Sequence, residues 1–66
     1  MSELSFKAYC IENYAEYKNL SSSAVFEKFR KSKLLNHLKT DYEDLHGMGK
    51  EFLMQYFDRW FGEESK

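Results

Sequence analysis

The 66-residue chain predicts an all-α fold, a compact bundle of four to five short helices. Three observations carry this. The sequence contains no proline. Apolar residues recur at helical spacing in each segment, and no stretch keeps strand-like alternation. Capping residues stand just ahead of the apolar runs, Ser21 first among them.

The first helix is expected from about Ser5 to Lys18. Leu4, Ala8, Ile11 and Ala15 follow the spacing of one helical stripe, which Phe6, Cys10, Tyr14 and Tyr17 widen. Ser21 is the expected N-cap of the second helix, with Leu20 and Val25 at hydrophobic-staple spacing. Val25, Phe26 and Phe29 are read as facing inward, and Lys28, Arg30 and Lys31 suit a last turn where cations complement the helix dipole. Ser32 is expected to cap a third helix bearing Leu34, Leu35 and Leu38. Thr40 to Glu43 has a capping-box pattern that restarts a short turn carrying Tyr42 and Leu45 inward, and Gly47 is placed as its left-handed end. The last helix is expected from about Lys50 to Phe61, with Phe52, Leu53, Tyr56, Phe57 and Trp60 inward and Glu51, Gln55 and Asp58 outward. The predicted core is therefore Ile11, Val25, Phe26, Phe29, Leu35, Leu38, Leu45, Leu53, Phe57 and Trp60. Residues 1–66 form one domain in this reading, with about 62–66 as a flexible tail.

A domain this small buries only about 60% of the surface its unfolded chain exposes. The 18% aromatic content compensates, because large rings bury much apolar area per residue. With Cys10 as the only cysteine, no intrachain disulfide can form, and a lone thiol fits a reducing cytoplasm. The opening MSELSFKAYC lacks an apolar h-region, and no run approaches the ~20 apolar residues that span a bilayer. A formal net charge of -1 gives no global attraction to nucleic acid or anionic membranes.

No catalytic, cofactor-binding or metal site is expected. His37, His46 and Cys10 lack metal-ligand spacing, and Cys10 reads as a small core thiol. Asp41, Glu43 and Asp44 read as first-turn acids rather than a paired-carboxylate site. Tyr42 and His46 lie one turn apart, which could bring phenol and imidazole together. The structural reading is preferred: His46 at least half buried, bonded to backbone, closing a helix end. Tyr9, Met54 and Phe61 fall off the core faces and are the candidate partner surface, because exposed aromatics and Met are enriched where proteins meet. The alternative is a helix-turn-helix-like nucleic-acid contact through 28–39, using Lys28, Arg30, Lys31 and Lys33. It is the weaker reading, since the helix after this stretch offers few side chains to base edges and Glu27, Asp41 and Asp44 can neutralise the cations.

Phe6, Tyr9 to Glu12, Tyr14 and Ala15 give F-x-x-Y-C-I-E-x-Y-A; Leu20, Ser21, Val25, Phe26 and Phe29 give a Leu-Ser cap and V-F-x-x-F. Tyr42, Leu45, His46 and Gly49 give Y-x-x-L-H-x-x-G. Across nearly its whole length the chain resembles a family of short bacterial proteins of unknown function. Ala24 and Gly47 depart from that pattern, where an acid and a small hydroxyl residue are usual. The resemblance implies packed small helices, no known enzyme activity, and genes often beside toxin-like ADP-ribosyltransferases. An accessory, adaptor or antitoxin-like protein follows from it, whose partner is another protein or a second copy. The Tyr42, His46 and Gly49 motif is left without a role.

Overall fold

The computed structural model describes residues 2–62, which form five helices and no strand. They are α1 (Glu3–Lys18), α2 (Ser22–Lys31), α3 (Leu34–Thr40), α4 (Tyr42–Leu45) and α5 (Lys50–Phe61). The all-α reading holds. Helix α1 is the hub, packing against α2, α3 and α5, while α3 links α2 to α4.

Local chemistry explains most of the ends. Helix α1 begins earlier than expected because the Ser2 hydroxyl accepts from Ser5 N–H at 3.1 Å. It ends in a Schellman motif: Asn19 is left-handed (φ 58°), Asn19 N–H donates to the Glu16 carbonyl at 3.2 Å, and Leu20 N–H donates to the Ala15 carbonyl at 2.8 Å. Ser21 caps α2 as expected, accepting from Ala24 N–H at 3.1 Å. Ser32 serves both helices: its hydroxyl donates to the Phe29 carbonyl at 3.1 Å, closing α2, and accepts from Leu34 N–H at 3.4 Å at the start of α3, while left-handed Lys33 (φ 67°) turns the chain between them. Thr40 is not an N-cap: it ends α3, donating back to the Asn36 carbonyl at 3.1 Å. Gly47 does not adopt the left-handed conformation; among the described glycines only Gly62 does (φ 70°), ending α5. The rest of the expected tail, 63–66, lies outside the described residues.

The core row of α1 is Phe6, Cys10 and Tyr14, one turn apart, joined by Ala15. Of the stripe Leu4, Ala8, Ile11 and Ala15 read from the sequence, only Ala15 is core: Leu4 and Ala8 are exposed and Ile11 is half-buried. Rings win the interior because each removes more apolar area from water. Val25 and Phe29 of α2, Leu34 and Leu38 of α3, Leu45 of α4, and Leu53, Met54 and Phe57 of α5 complete the core. The Tyr14 ring is its centre, 5.8 Å from both Phe29 and Phe57 and 5.7 Å from Phe61. Phe26 and Trp60, assigned to the core from sequence, are exposed instead, and Leu35 is half-buried. Cys10 is the core thiol expected of it, and burial pushes its pKa up to about 12.

Candidate functional site

Helix α5 carries apolar residues around most of its circumference. Packing against α1 sinks Leu53, Met54, Phe57 and Asp58. The row Phe52, Tyr56 and Trp60, one turn apart, is left towards solvent: Phe52 is 50% and Trp60 39% exposed, and Tyr56 is half-buried. This is the largest departure from the sequence reading, which placed all three inward.

The row is held from one side by α3. The His37 ring lies 4.7 Å from the Trp60 ring and stacks on Tyr56 at 6.0 Å. His37 Nε2 hydrogen-bonds the Tyr56 hydroxyl and lies 3.1 Å from Asp41 Oδ2. Burial, followed by the Asp41 charge, raises the Tyr56 pKa above its ordinary value. Such a phenol stays protonated at neutral pH and is a poor nucleophile. His37 Nε2 thus meets both Asp41 and the Tyr56 hydroxyl, and these contacts hold the Tyr56 ring beside the His37 ring. A shallow groove of about 90 Å³ runs beside Phe52, Gln55, Tyr56 and Arg59.

A second, larger depression of about 480 Å³ opens between the end of α1 and the start of α5, lined by Tyr17, Lys50, Glu51, Met54 and Gln55. Close to it, Asp58 ties the two helices together. Its Oδ1 accepts from the Tyr14 hydroxyl at 2.7 Å and meets Lys18 Nζ at 3.1 Å. Sequence periodicity placed Asp58 outward, yet it is 3% exposed. A possible sequence signal was the pair Tyr14 and Lys18, one turn apart on α1, though nothing local says which helix receives them.

The residues singled out from sequence do not converge. Met54 is buried (2% exposed) and so offers no partner surface, because it sits one turn before Asp58 on the face turned to α1. Tyr9 is half-buried, stacked on Phe6 at 6.5 Å. Phe61 packs on Tyr14 and Phe29 and receives the Lys28 ammonium over its ring at 4.8 Å. In the basic stretch, Arg30 pairs with Glu27 through two bonds of 2.6 and 3.0 Å, while Lys31 and Lys33 are exposed. That hydrogen bond, with the Arg30 charge, holds the Glu27 carboxyl below its ordinary value and raises Arg30. The neutralisation expected of Glu27 is thus present, whereas Asp41 turns to His37 instead. Among the described residues no three His, Cys, Asp or Glu side chains converge as metal ligands.

Tyr42 and His46 do meet. Their rings stack at 4.5 Å, and His46 Nδ1 lies 2.8 Å from the Tyr42 carbonyl oxygen. The backbone bond is the one expected, but His46 is exposed rather than sunk into the domain, since α4 is a single turn at the surface. Gly49 precedes α5 in an ordinary extended conformation. With the segment placed, comparison with known proteins matches residues 5–58 to the family described as "Protein of unknown function (DUF3791)". The chain belongs to the DUF3791 family. No curated protein and no solved structure matches it. The DUF3791 match spans α1 to all but the end of α5, so it includes both the Tyr42–His46 contact and the Phe52–Tyr56 part of the aromatic row. No described helix of this DUF3791 chain is long and apolar enough to cross a membrane. His46→Gln keeps a hydrogen-bonding group at an exposed position, so it is expected to shift stability by no more than about 0.5 kcal/mol in urea melts.

Proposed function

We propose that this DUF3791 chain is a protein–protein interaction module of the bacterial cytoplasm and that it docks through the outer face of α5. The observation that carries the reading is the row Phe52, Tyr56 and Trp60, left at the surface after the core is filled. Exposed aromatic side chains held in place are typical anchors of protein interfaces, because they bring large apolar area at small entropic cost. His37 and Asp41 supply that restraint here.

The accessory role implied by the family resemblance, adaptor or antitoxin-like, fits such a module. So does the absence of an enzymatic role in this reading: the strongest titratable line, Asp41–His37–Tyr56, borders a groove of only about 90 Å³. Nucleic-acid binding through 28–39 is not favoured, because Lys28 lies on Phe61 and Arg30 is held by Glu27. The test is affinity capture from the native host with the unaltered chain and with Phe52→Ser. Phe52→Ser is expected to stay folded by circular dichroism and to lose a specific partner. Equal capture by both chains would overturn docking at this face.

A further inference from the structure

We propose that the outer face of α5 is a two-fold interface, in which α5 packs antiparallel against α5 of a second copy of this chain. This rests on the interaction reading above and names the occupant. Two neighbouring rows run along that face, each stepping by four residues. One is Phe52, Tyr56 and Trp60; the other is Glu51, Gln55 and Arg59. Rows of this step are the ridges that helices most often pack together.

Both rows read correctly against themselves in reverse. A two-fold contact requires that if residue i meets j, then j meets i. An axis beside Gln55 and Tyr56 sets Phe52 against Trp60 of the second copy, and Tyr56 against its own equivalent. The polar row runs acid, amide, base from N- to C-terminus. Reversed, it sets Glu51 against Arg59 of the second copy, twice over, with Gln55 meeting Gln55. An amide both donates and accepts, so it can pair with itself. A parallel two-fold pair would instead set the polar row against the aromatic row of the second copy, leaving its charges facing rings. The charge order thus selects one orientation, which is the main work of charges at the rim of an interface.

The surroundings suit this use. Phe52 and Trp60 mark the two ends of the aromatic row, and both are exposed. Tyr56 and Trp60 are already held by His37, so less side-chain freedom is lost on association. A face on a helix of 12 residues, about 18 Å long, is shorter than a standard interface provides. The association is therefore expected on the order of micromolar.

Light scattering on the pure chain, from about 1 μM to about 1 mM, is the first measurement. The mass should rise with concentration from monomer to dimer. Glu51→Arg or Arg59→Glu alone should weaken the dimer about tenfold, by setting like charges opposite each other. The double variant Glu51→Arg/Arg59→Glu should recover most of that loss, which a different partner protein would not reproduce. With diamide as oxidant, Gln55→Cys should form a disulfide-linked dimer across the axis while buried Cys10 stays out of reach, and Glu43→Cys on α4 should not. A monomer mass at all concentrations, or a double variant no better than the single ones, overturns the proposal. If the chain is monomeric but Phe52→Ser still abolishes capture of a host protein, only the second-copy assignment falls. If it is monomeric and capture does not depend on Phe52, both readings fall.

Discussion

Phe29→Ala is expected to leave the domain close to unfolded. Phe29 is fully buried, and its ring lies 5.2 Å from Phe57, 5.6 Å from Phe61 and 5.8 Å from Tyr14. It is the point where α2 meets both α1 and α5. Truncation removes the transfer free energy of the ring and leaves a cavity that three large neighbours cannot easily close. The cost for such a change is about 3–5 kcal/mol. A domain of this size has a total stability of only about 5 kcal/mol. Urea melts followed by circular dichroism should therefore show a midpoint near zero denaturant or no folded baseline. A loss below about 1 kcal/mol would mean that the aromatic cluster does not hold the domain together. Phe26→Ala is the internal control, since Phe26 lies on the same helix but is 45% exposed.

Asp58→Ala is expected to cost about 2–4 kcal/mol, because it leaves the buried Tyr14 hydroxyl without this acceptor and Lys18 without this counter-charge. Tyr14→Phe should cost less, about 1.5–3 kcal/mol, since one hydrogen bond to a charged group is lost and the ring remains. The pair also sets an acid dependence. Burial alone would raise the Asp58 pKa. Hydrogen bonds from Tyr14 and Lys18, the Lys18 charge and a hydrogen bond from Tyr17 outweigh it and hold the carboxyl below its ordinary value. A carboxyl depressed on folding contributes stability that is fully present above its unfolded pKa, near 3.8. That contribution is lost as pH falls through the lower folded value. Thermal melts of the unaltered chain should therefore weaken below about pH 4. Asp58→Asn should be less stable at pH 7 but flatter across the acid range. An unchanged acid slope in Asp58→Asn would mean that the Asp58 charge does not tie α5 to α1.

The contrast between Phe26 and Phe29, and between Asp58 and Glu51, shows which information is local. Helix existence, the Ser21 cap and the burial of Val25, Phe29, Leu38, Leu45, Leu53 and Phe57 were legible from the sequence. Each depends on the 3.6-residue period or on bonds within a few residues, and the absence of proline leaves that period unbroken. The facing of α5 was not legible. Two apolar arcs overlap on it: Phe52, Tyr56 and Trp60 form one, and Leu53, Met54, Phe57 and Phe61 the other. With rings on both, the period alone cannot say which turns inward. The choice is made by α1, whose Tyr14 hydroxyl and Lys18 ammonium form a pair of donors for the buried Asp58 carboxylate. Meeting that requirement rotates Met54 and Asp58 into the domain and carries Phe52 and Trp60 out of it. The sequence by itself determined that the chain would be helical, where α1 would stop, where α2 would start and how far α5 would run, because those are short-range matters of period and capping. Only the tertiary structure decided which aromatic residues are core and which are surface, because that depends on a hydrogen bond and an ion pair between residues 40 or more positions apart.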